Sequence, residues 1–189
     1  TPGLGYYSGG ATKFGQGGDF VTAPEISPQF GTCLAATIAD VLNAPELAST
    51  GQVLEVGAGT GQLAVQILRS LEARGTLPLQ YCILELSGEL QLRQRERLQQ
   101  EVPHLASRVT WLDTLPAGFR GVIIGNEVLD AMPCALVHYG DKGWEERGVA
   151  WQDGFVWRDQ PIRDMTLMMQ AMVLPVAGVF VLREGLIVR

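Results

Sequence analysis

The chain has 189 residues, of which 47% are hydrophobic and 18% charged, the make-up of one soluble domain with a sizeable core. Its net charge of -6 and pI near 4.9 offer no electrostatic footprint for nucleic acid or for an anionic membrane, so neither is expected as a partner. No apolar run reaches the roughly 18 residues that span a bilayer. Residues 1 to 27 read as a glycine- and proline-rich loop. Within it, "GGDFVTAPEISPQFG" is too broken for a helix and too irregular for a strand. From about Ser27 to Leu42 the apolar residues Phe30, Leu34, Ile38 and Val41 recur at helical spacing, behind a serine cap and a first-turn proline. "QVLEVGAG" predicts a buried strand ending in glycines. "TGQLAVQILRSLEARG" predicts a helix with Leu63, Ile67, Leu68 and Leu71 on one face and Gly75 as its stop.

"LQYCILEL" is a second buried strand. "GELQLRQRERLQQEV" is a charged helix expected to point Leu90, Leu92 and Leu98 inward, its charge run a solvated face. "RVTWLD" and "GVIIGNE" are strands three and four. Near-continuous apolar strands alternating with helices indicate a Rossmann-like α/β fold, mostly parallel, with helices on both faces. After Pro133, "CALVHYG", "WEERGVAWQDG" and "FVWRDQPI" read as an antiparallel meander, and "GVFVLREGLIVR" as one or two further strands. Two segments follow: a lid loop and helix over 1–45, and a cofactor-binding core with the meander over 46–189. The stripe Met165, Met168, Met169 and Met172 reads as core or partner surface. Cys33, Cys82 and Cys134 are scattered without CxxC spacing and read as reduced thiols. His104 and His138 lack partners at ligand spacing, so no metal site is expected.

"VLEVGAGTGQLA" carries the chemistry. A buried strand runs into Gly57, Ala58, Gly59 and Gly61, and a helix starts at once. Glycines let the backbone turn tightly and approach a ligand, and helix-terminal amides face it. Residues 59–64 also fit the dinucleotide pattern GxGxxA, but the first glycine after the strand is Gly57, which spoils that register. Glu55, two residues before Gly57, would repel a pyrophosphate. It suits a cofactor with a cationic end, such as S-adenosylmethionine, and the string Glu55 to Gly61 is the first motif of class I methyltransferases. Glu85, followed by Leu86, closes the second strand where an acid accepts ribose hydroxyls, in an adenosyl cofactor and in NAD alike. Asp113 is an adenine contact, a loop acid or a helix cap. At the end of strand four, Asn126 is followed by Glu127 rather than proline, which disfavours methylation of a base or amide nitrogen. Glu127 and Asp130 can grip a guanidinium bidentately, unless Asp130 caps a following helix.

Together "PGLGYYSGG", "GDFVTAPEISPQFG", "LEVGAGTGQLA", "NEVLDAMP" and "GWEERGV" resemble the MidA-like methyltransferase family over nearly all of residues 1 to 160. The resemblance implies an S-adenosylmethionine-dependent transfer to an arginine of a protein substrate. It also implies the complex I assembly context of mitochondrial members, in which a respiratory-complex subunit is a candidate substrate. A homo-dimer is a candidate assembly. The location implied is cytoplasmic for a bacterial chain and the mitochondrial matrix for a eukaryotic one. Family members are about twice as long, so a segment is expected to be absent near residues 162–164. A non-catalytic assembly factor that keeps the cofactor as a structural ligand is the second reading, and an NAD-dependent oxidoreductase the third. The opening loop is expected to act as a lid, with Thr22, Pro24 and Glu25 as its ligand-facing candidates.

Overall fold

The computed structural model describes residues 22–129, 131–132, 134–174, 179–183 and 186–188. The expectations placed on Asp130, and on the loop ahead of Thr22, lie outside these residues. Contacts divide the chain into two compact units, Thr1–Val128 and Leu129–Arg189.

The first unit holds a four-stranded parallel sheet in the order β3-β2-β1-β4. Its strands are β1 (Gln52–Val56), β2 (Tyr81–Leu84), β3 (Val109–Leu112) and β4 (Gly121–Gly125). Helix α2 (Pro28–Leu42) precedes them, α3 (Gln62–Ala73) links β1 to β2, and α4 (Gly88–Glu101) links β2 to β3. Register aligns Val53 with Tyr81 and Val122, Tyr81 with Val109, and Ile83 with Trp111, so these residues share a face. That face packs against Ile38 and Leu42 of α2, Leu63, Ile67, Leu68 and Leu71 of α3, and Leu98 of α4, forming one core.

The helix boundaries follow from local chemistry. The Ser27 hydroxyl accepts from the Gln29 amide and Pro28 opens α2, as the sequence predicts. Ser87 caps α4 through the Leu90 amide, and Gly75, at φ 68°, follows the C-cap of helix α3. Two expectations are corrected. Residues Ala23–Ile26 form a helical turn, α1, instead of loop, because Thr22 O accepts from the amides of Glu25 and Ile26. Leu92 does not point inward. It is 63% exposed, while Gln94 is fully buried in the stripe with Leu98. Positions 90, 94 and 98 lie on one line at i, i+4 spacing, and position 92 lies across the helix from it.

The second unit is a five-stranded antiparallel sheet, order β7-β6-β5-β8-β9. It comprises β5 (Cys134–Gly140), β6 (Gly143–Trp151), β7 (Phe155–Pro161), β8 (Val179–Arg183) and β9 (Leu186–Val188), with α5 (Met165–Met172) packed on it. The turn between β6 and β7 places Asp153 at φ 53° ahead of Gly154, the Asp-Gly signal legible in the sequence. Val137, Ile162 and Ala171 form its core, with Trp144, Leu167 and Met168 against them. Of the methionine stripe, Met168 joins this core, whereas Met165, Met169 and Met172 are exposed.

Candidate cofactor and substrate site

Because all four strands of the first sheet are parallel, their carboxyl ends share one edge. Along that edge stand Asp113 after β3, Glu85 after β2, Gly57 after β1 and Asn126 after β4, in that order. The chain runs β1, β2, β3 toward one side and returns to pair β4 on the other side of β1. The crevice between β1 and β4 is therefore a topological switch point, where ligands of open α/β sheets bind.

The glycine turn has the geometry such a ligand needs. Gly57, Gly59 and Gly61 have φ of 64°, 55° and 83°, a region that side chains rarely adopt. A Cβ on Gly57 would meet Val128 Cγ2 at 3.2 Å, and one on Gly61 would meet Gln94 Cα at 3.3 Å. One on Gly59 would meet nothing within 4 Å, so the middle of the turn faces open space. Gly61 starts α3 without a side-chain cap. The turn thus offers helix-terminal amides and room for a ligand backbone, which fits the amino-acid portion of an adenosyl cofactor.

Glu55 lies on the helix-covered face, 2% exposed, and accepts a 2.6 Å hydrogen bond from the Tyr81 hydroxyl. Its pKa is raised to about 7: burial is the largest cause, the hydrogen bond from Tyr81 opposes it, and the nearby Glu85 charge adds to the rise. Burial and the Glu55 charge together push the Tyr81 phenol well above its ordinary value. Glu85 is buried as well. Its Oε1 accepts from the Ser87 amide at 2.9 Å and its Oε2 from Gln94 Nε2 at 3.2 Å. A carboxylate offers about four acceptor sites, so lone pairs remain for hydroxyl donors. Leu86 beside it is 82% exposed, and Asp113 and Leu115 are exposed on the same edge, a mixed apolar and acidic rim that fits adenine.

Glu127 is one of three described residues other than glycine at positive φ, 53°. Such strain persists where surrounding structure imposes it, and this exposed carboxylate lies in the bend just past β4. Asn126 beside it is half-buried.

Of the lid candidates, Glu25 reaches the glycine turn and Pro24 reaches α3. Gln66 of α3 donates from Nε2 to Pro24 O at 2.7 Å and accepts the Gly31 amide on Oε1 at 3.2 Å. Glu25 accepts from the Thr60 hydroxyl and pairs with Arg97 at 3.4 Å. Arg97 also donates to Thr60 at 3.1 Å and to Gln62 at 2.6 Å. The carboxylate of Glu25 is thus held by a cation of the chain itself, at the foot of α3. Thr22 contributes through its carbonyl, which starts α1.

Sequence reasoning missed Thr60, Gln66, Tyr81, Gln94 and Arg97. A signal was available for one of them: Gln94 is a polar residue between Leu90 and Leu98 on an otherwise apolar helical stripe.

Among the described residues no group of three or more His, Cys, Asp or Glu side chains is placed to hold a metal ion. Residues 33–176 match the family model "Putative S-adenosyl-L-methionine-dependent methyltransferase". The chain is 31% identical, over 77% of its length, to the mitochondrial protein arginine methyltransferase NDUFAF7 homolog of Caenorhabditis elegans, and covers 38% of that protein. It is 27% identical over the same share to human NDUFAF7, again covering 38%. A crystal structure of a Burkholderia thailandensis protein bound to S-adenosyl-homocysteine superposes with a TM-score of 0.76 at 47% identity. That match covers 98% of this chain and 49% of the other. The chain therefore spans about two fifths of the curated relatives and half of the solved one. Methionine-derived cofactor motif, parallel sheet and relatives agree: the chain belongs to this family of S-adenosyl-L-methionine-dependent methyltransferases.

Proposed function

We propose that this chain binds S-adenosyl-L-methionine at the carboxyl edge of β1 and β2 and takes part in methyl transfer to an arginine of a protein substrate. The observation that carries the reading is the open glycine turn at the switch point, flanked by Glu85 on one side and the strained Glu127 on the other. In this reading Gly57, Ala58, Gly59 and Gly61 hold the amino-acid portion, Glu85 the ribose, and Leu86 and Asp113 the adenine. Glu55 supports the turn from beneath, through Tyr81. The bound cofactor supplies an electrophilic methyl group on a sulfonium.

The acceptor side falls to Glu127, Asp130 and Asn126. Carboxylates paired with a guanidinium hold it in one plane and draw its positive charge toward themselves, away from the nitrogen that attacks. The remaining requirement is alignment, which a fixed guanidinium supplies. Thr22, Pro24 and Glu25 close the foot of the site: Thr22 starts α1, Pro24 ties it to Gln66 of α3, and Glu25 ties it to Thr60. The relatives named arginine methyltransferases support the substrate class. Their mitochondrial names also support the matrix for a eukaryotic chain, and a respiratory-complex subunit is the substrate to try first.

Transfer of a labelled methyl group onto arginine-containing proteins tests the reading, wild type against Glu127→Gln. The expected result is labelled arginine with wild type and a drop of about 100-fold or more with the variant, the scale of losing one transition-state contact of this kind. Equal labelling by the two would remove Glu127 from the reaction. Tight S-adenosylhomocysteine binding with no transfer to any protein would favour a scaffold that keeps the cofactor as a structural ligand.

A further inference from the structure

Gln94 is fully buried, yet nothing in the cofactor motif includes it. Three elements meet on its amide. Its Nε2 donates to Gly59 O at 2.9 Å and to Glu85 Oε2 at 3.2 Å, and its Oε1 accepts from Trp111 Nε1 at 2.8 Å. The indole N–H only donates, so it fixes which end of the amide faces it. The flipped amide would set two donors together at Trp111 and an oxygen against both a carboxylate and a carbonyl. Trp111 is itself held by the Arg95 guanidinium, 3.9 Å above its ring. The Gln94 backbone also abuts Gly61, where an added Cβ would approach its Cα to 3.3 Å.

The consequences reach the ligand edge. With Ser87 N on one oxygen and Gln94 on the other, the Glu85 carboxylate cannot rotate, and its free lone pairs are fixed in direction. Holding the Gly59 carbonyl also fixes the next amide, because a trans peptide points the Thr60 N–H the opposite way. One side chain therefore sets the acid and the turn together.

We infer that Gln94 is a positioning residue for the cofactor, acting through Glu85 on the ribose and through Gly59 on the turn that holds the amino-acid portion. The inference rests on the reading of Glu85 as the ribose acceptor. It is tested by calorimetry with S-adenosylhomocysteine and its 2'-deoxyribose analogue, on wild type, Glu85→Ala, Gln94→Met and Trp111→Phe. The quantity read is the ratio of the two affinities, which general loosening of the fold would leave unchanged. Wild type is expected to prefer the hydroxylated ligand about tenfold or more, the scale of a hydrogen bond to a charged group. Glu85→Ala and Gln94→Met are expected to bring the ratio near one. Trp111→Phe, which leaves the amide free to flip, is expected to reduce it by less. The phenylalanine variant also carries the test should Gln94→Met fail to fold. A wild type without preference would end the ribose reading and this inference with it. A preference lost in Glu85→Ala but intact in Gln94→Met, or in Trp111→Phe where only that variant folds, would overturn the role of Gln94 alone.

Discussion

Glu55 shows what a single buried acid contributes. The folded chain holds its proton up to about pH 7, whereas an ordinary glutamate loses it near 4.5. Between those values the folded state binds a proton that the unfolded state has released, so stability falls as pH rises through that window. The difference amounts to about 3 kcal/mol above pH 7. Glu55→Gln keeps an acceptor for Tyr81 and has no charge to bury. Its urea midpoint is therefore expected to exceed that of wild type at pH 8 and to match it at pH 4.5. Superimposed profiles would show that Glu55 is not desolvated. The sequence gives away this residue's position but not its partner: Glu55 stands out two places before a glycine turn, while the phenol that meets it lies 26 positions away and reads as a plain strand residue. Gln94 stood out as a polar residue on an apolar stripe, but its partners were hidden for a similar reason. Three of its contacts come from other elements, and periodicity reports only the helix it sits on.

The glycine turn, α1 and α4 belong to the scale of elements. Gly59→Ala meets no atom, so it carries only the backbone strain of its positive φ, about 1–2 kcal/mol. It places a methyl group where the ligand is proposed to lie. The expected outcome is a modest fall in melting temperature with loss of S-adenosylhomocysteine binding. Gly61→Ala adds a tight contact with the α4 backbone to the same strain and is expected to destabilise more. Equal melting temperatures for the two would contradict the close approach of Gln94. Arg97→Ala removes the cation shared by Glu25, Thr60 and Gln62, and α1 is expected to gain protease sensitivity near Ile26, read by limited proteolysis. At this scale the sequence was most informative. Strands β1 to β4 and helices α2 and α3 could be read from apolar runs, a serine cap and glycine stops. The turn at Ala23–Ile26 could not, because four residues carry no periodicity and Pro24 reads equally as loop. Leu92 misled for a physical reason: a charged helix offers few apolar residues, and the buried line was completed by a glutamine.

On the scale of the whole molecule, the net charge of -6 suits a cationic substrate. KM for a basic peptide is expected to rise severalfold between about 0.05 and about 0.5 M salt, as screening shortens the reach of surface charge, with kcat nearly unchanged. The curated relatives carry mitochondrial names, and no helix among the described residues is long and apolar enough to cross a membrane. Family and fold class were legible because the motif, its strand and its helix are contiguous in the chain. The proposed acceptor side was less so: Glu127 could be located by its place after β4, while its positive φ is visible only in three dimensions. The central claim, an adenosyl-sulfonium site rather than a dinucleotide site at the glycine turn, is tested most directly by titrating the protein with S-adenosylmethionine, S-adenosylhomocysteine and NAD in a calorimeter. Saturable one-to-one binding of the first two, abolished by Gly59→Ala, is expected, with no heat from NAD. Tight NAD binding, or silence from both methionine-derived ligands, would contradict it.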